Sequence, residues 1–462
     1  MPDRLLIRDC EVLVTMDDEG SELPGGSLYA EDGSIRWVGI GDPPDQVVRP
    51  DEAVVVIEGR NAVALPGLGN THHHMYQAMT RVRAQEQSLF GWLVEQYPVW
   101  AGLDVEWTWA AARVALAELA LSGCTLTTDH HYVFPRGQPG LLEAEIDAAR
   151  EIGLRFHPCR GSMDLSEKDG GLPPDRVVQD TDTVLEETEA AVQAFHDPSP
   201  GSMLRIAVAP CSPFSVTDRL MRESAALARR LSVRLHTHIA ETLDEERHCL
   251  ERFGLRPVEL LEEQGFLGED VWLAHCVHLT DADVARLAST GTGVAWCPTS
   301  NLRIGIGLAP VRALLDAGVR VGIGVDGSAS NDRGHLLDTT RHGLLSVRAP
   351  RGGPEGDPAA MTAREALRIA TRGSADVLGR GQEVGSLEVG KRADVALVPV
   401  DGLSYVGAGK DLVAAVLLCG VDRVRDLFVE GHPVVREGHL VNVDEERIAE
   451  DGRRIARRIA EG

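Results

Sequence analysis

Histidines and a glutamate occur in this sequence at spacings that suit a shared metal ion. His72 and His74 are two residues apart, so on an extended segment both imidazoles point to the same side. His238 stands in the segment LHTHIAE, and Glu241 follows it by three residues. At the end of a strand, His238 can complete a third nitrogen ligand while Glu241 faces the same pocket.

A histidine and an aspartate each end another apolar segment. His275 follows VWLA, and Asp326 follows VGIGV. Packing explains such an aspartate poorly, because a carboxylate at an apolar strand end needs a partner. Each residue alone is a weak indication. Together, segment ends that supply H-x-H, H-x-x-E, H and D predict a functional site, since clustered titratable groups mark such sites.

Three imidazoles and one carboxylate around an open position favour zinc, a borderline-soft ion that prefers such ligands. Zinc lowers the pKa of a water that it binds to about 7, which makes hydrolysis the expected class of reaction. Glu241 and His275 can then transfer protons, and Asp326 can both contact the metal and accept the proton of the water.

The elements that must position these residues alternate between helix and strand. From about residue 62 onward, amphipathic helices alternate with short apolar strands that end in a polar residue. The predicted strands are 62–65, 124–129, 154–160, 204–209, 233–238, 271–275, 293–297 and 319–326. This pattern predicts an α/β fold, a closed (β/α)8 barrel of the TIM type, whose active site lies at the carboxyl ends of the strands. A doubly wound open sheet is the alternative, and the lack of G-x-G-x-x-G after an early strand disfavours it.

Both ends of the chain have the composition of short strands. Residues 27–30 and 35–40 flank Glu31-Asp32-Gly33, a hairpin signal. We predict that the two ends pair into one small β-sandwich domain. The expected organisation is residues 1–61 and 381–462 for the sandwich and residues 62–380 for the catalytic barrel.

The overall composition excludes several classes of partner. The formal net charge is −25, whereas a nucleic-acid surface needs a basic stripe, so we expect no nucleic-acid partner. No apolar run approaches the roughly 20 residues of a membrane-spanning helix, and the N-terminus lacks the apolar core of a secretory signal, so we expect no membrane association. The eight cysteines are scattered without a C-x-x-C pair, which predicts reduced thiols and a cytoplasmic protein. We also expect a homo-oligomer.

Four motifs together are similar to those of a known family. NTHHH at 70–74, HIAE at 238–241, AHC at 274–276 and VDGSASN at 325–331 resemble the cytosine-deaminase-like branch of the amidohydrolase superfamily, along essentially the whole chain. Related triazine hydrolases share parts of such segments, including ATRGSA at 370–375. The resemblance implies a role for each site residue: metal ligands His72, His74, His238 and Asp326, a general acid, Glu241, that protonates a ring nitrogen, and a water-orienting base, His275.

The lysines bear on the number of metal ions. The sequence has only Lys168, Lys391 and Lys410, and none of them lies on a predicted barrel strand. Binuclear members of the resembled superfamily use a carboxylated lysine of a barrel strand to bridge two metals. We therefore predict one zinc ion per chain, with Fe²⁺ as the alternative metal.

Four residues are candidates for substrate contact. Gln77 offers a paired donor and acceptor for the edge of a ring, and Arg160, at the end of the third predicted strand, would favour an anionic oxo-substituted ring. Trp92 belongs to an aromatic-rich segment that can stack on a planar ring, although packing within a lid or a subunit interface explains any one of these aromatics equally well. Cys211 follows the fourth predicted strand and can line the pocket.

These residues, taken together with the resemblance, predict a zinc-dependent aminohydrolase that acts on C–N bonds in cyclic amidines. Water attacks an N=C–NH2 carbon of an 8-oxoguanine-like, isocytosine-like or pterin-like ring, and the products are the oxo compound and ammonia. Hydrolytic removal of chloride or alkylamine from a triazine is the first alternative, but chloride needs no proton to leave, so the set of Glu241, His275 and Asp326 favours deamination. A non-enzymatic metal-binding scaffold is the second alternative, and it has no use for Glu241 beside the ligands. The H-x-E and P-C-x-x-C signature of other zinc deaminases is absent.

Overall fold

Short strands of the N-terminal segment begin the small domain. The computed structural model describes residues 4–48, 53–349 and 355–461 of the chain. The segment before the barrel contains β1 (Arg4–Arg8), β2 (Val12–Val14), β3 (Glu22–Pro24), β4 (Gly26–Glu31), β5 (Ser34–Ile40), β6 (Val55–Glu58) and β7 (Ala62–Pro66). The predicted hairpin is confirmed, because β4 and β5 pair antiparallel around Asp32-Gly33. Asp32 (φ 52°) and Gly33 (φ 72°) are both left-handed, as a tight hairpin turn requires.

A curled parallel sheet forms the centre of the molecule. Its strands are β8 (Leu68–Asn70), β9 (Cys124–Thr127), β10 (His130–His131), β11 (Arg155–Phe156), β12 (Cys159–Ser162), β13 (Ala207–Pro210), β14 (Leu235–Ile239), β15 (Val271–His275), β16 (Gly293–Trp296) and β17 (Val321–Ile323). The parallel pairings run β8–β9–β11 and β10–β12–β13–β14–β15–β16–β17. The ring closes where the Thr71 N–H donates to the Ile323 carbonyl over 2.8 Å. The predicted barrel is therefore confirmed.

Strands from the C-terminal part complete the small domain. They are β18 (Val395–Pro399), β19 (Asp426–Val429), β20 (His432–Arg436) and β21 (His439–Leu440). They extend a seven-stranded sheet of order β21-β20-β19-β18-β7-β2-β3, which packs on a four-stranded sheet of order β5-β4-β1-β6. Side chains from both sheets, including Leu13, Leu28, Leu397 and Phe428, form one buried apolar cluster. The sandwich built from both chain ends is therefore confirmed, and burial of apolar surface stabilises it.

The first predicted barrel strand lies in the other sheet. Ala62–Pro66 pairs antiparallel with β18 and parallel with β2, whereas Leu68–Asn70 pairs with β9 and is the first strand of the barrel. Gly67 stands between them, and a Cβ at this position would clash with the Thr125 side chain. The direct passage of the chain from one sheet to the other therefore depends on glycine.

Helices pack around the barrel, and those that precede β17 in the chain connect its strands. They are α1 (Leu89–Trp100), α2 (Val105–Leu121), α3 (Leu141–Ile152), α4 (Thr181–Phe195), α5 (Asp218–Leu231), α6 (Leu243–Phe253), α7 (Pro257–Glu263), α8 (Asp281–Thr290), α9 (Pro298–Ile304), α10 (Val311–Asp316), α11 (Ser328–Asn331), α12 (Leu336–Arg348), α13 (Ala363–Arg368), α14 (Ser374–Val377), α15 (Leu412–Leu418) and α16 (Glu445–Glu461). Side chains that accept a backbone N–H fix several starts, such as Thr217 before α5 and Thr280 before α8. Within the described ranges, no helix has the length and apolarity that crossing a bilayer demands.

Candidate metal centre and active site

The segment after β8 brings two histidines to the carboxyl end of the barrel. His72 and His74 lie in irregular backbone between β8 and the 3₁₀ helix Met75–Thr80, and both are buried. The His74 Nδ1 lies 2.8 Å from the His130 carbonyl oxygen. A carbonyl oxygen only accepts, so this hydrogen bond assigns the proton to Nδ1 and leaves the His74 Nε2 with a free lone pair.

His238, on β14, is held in the same way. Its Nδ1 lies 2.8 Å from the Cys211 carbonyl oxygen, which assigns the proton to Nδ1 and leaves Nε2 unprotonated. The Nε2 atoms of His74 and His238 are 3.0 Å apart. Two free lone pairs at this distance repel each other, so the pair favours a cation that both can bind.

Two imidazoles, those of His236 and His72, are hydrogen-bonded to each other behind the centre. The His236 Nδ1 donates to the Trp272 carbonyl oxygen over 2.8 Å, and burial lowers the pKa of His236 to about 3. The His236 Nε2 is therefore an acceptor, and the His72 Nδ1, 2.8 Å away, donates to it. The His72 Nε2 is left buried and without a hydrogen-bond partner among the described residues.

Asp326 adds a carboxylate oxygen to the same centre. Its Oδ1 lies 3.5 Å from the His72 Nε2 and 3.3 Å from the His74 Nε2. Its Oδ2 accepts hydrogen bonds from the hydroxyls of Ser300 (2.5 Å) and Ser330 (3.0 Å), which orient the carboxylate. Burial alone would raise the pKa of Asp326, but nearby histidine charge and the Ser300 hydroxyl outweigh burial and lower it.

This donor set fits a zinc ion. Unprotonated Nε2 atoms from His72, His74 and His238 and one oxygen of Asp326 meet with no proton between them, and such a set is typical of zinc. Burial lowers the pKa of His74 to about 4 and those of His72 and His238 well below their ordinary value. The three imidazoles are therefore neutral at neutral pH, as metal ligation requires. The structure thus brings together the predicted ligands.

Glu241 and His275 face this centre from the ends of β14 and β15. The His275 Nε2 lies 3.6 Å from the Glu241 Oε1, and its Nδ1 lies 3.0 Å from the Asn301 Oδ1, which orients the ring. Burial raises the pKa of Glu241 to about 7, so its carboxyl can hold or release a proton near neutral pH. Burial alone would lower the pKa of His275, but the charges of Glu241 and Asp326 outweigh burial and raise it.

Left-handed backbone turns direct these side chains over the barrel. Ala240, His275 and Asp326 have φ values of 50°, 71° and 63°, in a region that residues with a Cβ rarely adopt. The Glu245 carboxylate holds the turn after β14, since it accepts the N–H groups of Ala240 and Glu241, each over 2.8 Å. The position of Glu241 is therefore fixed through its backbone.

A small cavity of about 30 Å³ opens over the centre. Its walls are formed by the site residues His74, His238, Glu241, His275 and Asp326, by the predicted substrate residues Gln77, Trp92 and Cys211, and by Leu89, Leu93, Tyr97, Tyr132, Ser212, Phe214, Ile304 and Ser330. Neither amide atom of Gln77 nor the indole nitrogen of Trp92 has a well-formed hydrogen bond in the described part of the chain. These polar atoms are therefore available to a ligand.

Arg160 lies on the outside of the barrel. Its guanidinium pairs with Glu187 (2.5 Å) and Gln179 (2.7 Å) and lies over the Phe134 ring, in a separate groove between α3 and α4. Successive side chains of a strand alternate sides, and Arg160 on β12 takes the side away from the barrel axis. The structure therefore does not bring Arg160 to the candidate active site, contrary to the expectation that it would contact substrate.

Sequence reasoning missed three residues that hold the predicted ones in place: His236, Ser300 and Asn301. His236 stands two residues before His238, and this second H-x-H is the signal that could have identified it. Ser300 and Asn301 lie on α9 after a different strand, and no spacing in the sequence connects them to the groups that they contact.

A (β/α)8 barrel with histidine and aspartate donors at its strand ends is an architecture that metal-dependent hydrolases use. The sequence model of the Amidohydrolase family matches residues 63–433. The chain belongs to the amidohydrolase family, which confirms the resemblance carried by its motifs.

Similar proteins of known activity are hydrolases. The chain is 45% identical to 8-oxoguanine deaminase of Pseudomonas aeruginosa, over 91% of each chain. It is 39% identical to hydroxydechloroatrazine ethylaminohydrolase of Pseudomonas sp. (strain ADP), over 97% of this chain and 94% of that protein. Among solved structures, atrazine chlorohydrolase of Arthrobacter aurescens TC1 complexed with zinc has a TM-score of 0.91 at 34% identity, over 98% of this chain and 100% of that chain. The segments 70–81, 89–100, 169–177 and 210–216 predict a resemblance to 8-oxoguanine deaminase, and the overall identity confirms it. The prediction of a hydrolytic enzyme is likewise confirmed.

Proposed function

We propose that this chain is a zinc-dependent aminohydrolase that deaminates an amino-substituted heterocycle of the 8-oxoguanine, isocytosine or pterin type. One zinc ion per chain would be held by His72, His74, His238 and Asp326. The observation that carries the proposal is the buried Glu241 carboxyl in the cavity wall, 3.6 Å from His275 and with a pKa of about 7. A reaction in which a ring nitrogen and an amine must be protonated needs such an acid.

The side chains divide the proton transfers between them. Zinc, when bound, would lower the pKa of a water and prepare it for attack at neutral pH. Asp326 accepts the proton of that water, and His275, held by Asn301, orients the attacking oxygen. Glu241 delivers a proton to the ring nitrogen next to the carbon under attack. The amino group then leaves as ammonia with the proton that Asp326 accepted. The hydroxyl on the attacked carbon returns its proton to the Glu241 carboxylate as the carbonyl forms, so one water is consumed for each ammonia released and both carboxyl groups are restored.

The walls of the cavity favour a neutral planar ring. Trp92, Tyr97 and Phe214 supply aromatic surface. The amide of Gln77 and the indole N–H of Trp92 can form hydrogen bonds with the edge of a ring. Among the described residues that line the cavity there is no lysine or arginine, so a phosphate group would find no cationic partner. The 45% identical relative is named for a bare oxopurine, 8-oxoguanine, which has these properties.

Removal of chloride or alkylamine from a triazine remains the second candidate, since two of the similar proteins act by name on triazines. The test is to incubate zinc-loaded protein with guanine, 8-oxoguanine, isocytosine, isoxanthopterin, chlorotriazines and alkylaminotriazines. We expect ammonia and the matching oxo product from at least one of the first four compounds. Release of chloride or alkylamine from the triazines alone would replace the proposal with its alternative.

We also propose that the enzyme acts in the cytoplasm, in purine metabolism, as a homo-oligomer. All eight cysteines are free thiols, which supports a reducing compartment. Leu403 and Val406 are 91% and 79% exposed, and burial of such side chains favours a contact between subunits. Light scattering of the purified enzyme measures the oligomeric state.

A further inference from the structure

The His236 imidazole fills the barrel interior beneath the candidate metal centre. It is fully buried, and its ring stacks on the Trp272 indole with centroids 4.4 Å apart and planes at 16°. Both of its nitrogens are used: Nδ1 donates to the Trp272 carbonyl oxygen, and Nε2 accepts from the His72 Nδ1, each over 2.8 Å. None of these contacts belongs to the cavity wall, so His236 does not touch substrate.

We propose that His236 is a positioning residue that fixes the tautomer of His72 and thereby keeps the His72 Nε2 ready to bind the metal. The inference rests on the proposed function, because it takes His72 as a ligand. A neutral imidazole carries its one proton on either nitrogen, and a proton on Nε2 blocks ligation. The acceptor that holds the proton on Nδ1 therefore decides whether His72 can act as a ligand.

His72 differs from the other two ligands in this respect. The Nδ1 protons of His74 and His238 are held by the backbone carbonyls of His130 and Cys211, which no side-chain substitution removes. The Nδ1 proton of His72 is held by a side chain. Among the three histidine ligands, His72 is therefore the one whose tautomer a single side-chain substitution can leave unconstrained.

The orientation of His236 is itself enforced. Because the Trp272 carbonyl holds the His236 proton on Nδ1, the Nε2 must present a lone pair to His72. The Trp272 indole N–H donates to the Thr71 carbonyl oxygen over 3.0 Å, and Thr71 is the neighbour of His72 in the chain. The contacts thus form a closed ring, from His72 to His236, to Trp272, to Thr71 and back along the chain to His72. This ring holds the His72 imidazole in position and keeps its proton on Nδ1.

Two substitutions separate the two hydrogen bonds of His236. His236→Asn can keep a bond to the Trp272 carbonyl but is too short to reach His72, whereas His236→Gln can present its amide oxygen to His72. We expect the asparagine variant to bind zinc about 10- to 100-fold more weakly than wild type, the range found when partners of metal-bound histidines are removed. The glutamine variant is expected to retain most of the affinity. The measurement is competition between the metal-free protein and a chelator, with the visible spectrum of the Co²⁺-loaded protein as a second readout of the ligand set.

His157→Phe is the matched control. His157 is also a buried histidine beside Trp272, with ring centroids 6.0 Å apart, but it makes no contact with a predicted ligand, so its zinc affinity should equal that of wild type. Equal zinc affinities for wild type and His236→Asn would overturn the inference, and so would a glutamine variant as weak as the asparagine variant although thermal unfolding shows both to be folded. A wild-type protein that does not bind zinc would instead refute the proposed function, so the two failures are distinguishable.

Discussion

Replacement of Glu241 by glutamine keeps the size and reach of the side chain but removes its ability to exchange a proton. Glu241 is 4% exposed, so bulk water cannot readily substitute for its carboxyl. Burial raises its pKa to about 7, so the carboxyl can act as an acid near neutral pH. A positioned acid or base contributes about 10²–10⁴-fold in rate, which corresponds to roughly 3–5 kcal/mol of barrier. We therefore expect kcat of the Glu241→Gln enzyme to fall by a factor in this range.

The assay is steady-state release of ammonia, with zinc content measured on the same protein. Zinc should stay near the wild-type amount, because Glu241 is not a proposed ligand. Glu145→Gln is the matched control: the Glu145 carboxyl is also buried, with its pKa raised to about 8, but it contacts His131 and does not line the cavity. Its kcat should match that of wild type. A Glu241→Gln enzyme that turns over normally, or that is purified without metal, refutes the role assigned to Glu241.

Three further perturbations test other parts of the structure. Gly327→Ala would place a Cβ 1.9 Å from the Gln77 Oε1; the flexible amide must move, so KM should rise in steady-state kinetics while zinc content is unchanged. Burial raises the pKa of Glu145 from 4.5 to about 8. The contribution of its protonated carboxyl to the free energy of unfolding is therefore complete below pH 4.5 and is lost as the pH rises toward 8. Urea unfolding should show a smaller loss over this pH range for Glu145→Gln, which cannot ionise. Removal of zinc by a chelator should lower Tm, because a ligand of the folded state stabilises it, and calorimetry should show recovery when zinc returns.

The barrel and the polar residues at the carboxyl ends of its strands could be predicted, because both depend on patterns within short segments of the sequence. Helical and strand periods alternate, and a polar residue at the end of an apolar strand is conspicuous. His72, His238, His275 and Asp326 come from segments that are far apart in the chain. They could still be expected to meet, since the carboxyl ends of parallel strands share one rim.

Three other features could not be predicted, because the sequence of a single strand does not determine them: which sheet a strand joins, which way its side chains point, and which distant residues they contact. A short apolar run does not reveal which sheet it joins, and Ala62–Pro66 joins the sandwich rather than the barrel. A strand end can be located without knowledge of which side chains face the axis, and Arg160 faces outward. Ser300, on α9, donates a hydrogen bond directly to Asp326, and such a contact between separate segments follows from the tertiary structure alone.

The positive φ values of Ala240, His275 and Asp326, at the ends of barrel strands, affect the stability of the whole chain. The strain at each such residue lowers the free energy of unfolding by about 1–3 kcal/mol. The net free energy of unfolding of a typical protein is only about 5–15 kcal/mol, so packing in the barrel and the sandwich must offset this strain. A glycine at Ala240 would relieve part of this penalty, because glycine adopts positive φ freely, and it would also loosen the backbone that carries Glu241. A substitution at this position that raises the thermal stability is therefore expected to lower the turnover rate. Thermostable variants are best sought in the sandwich and the outer helices, away from the proposed active site.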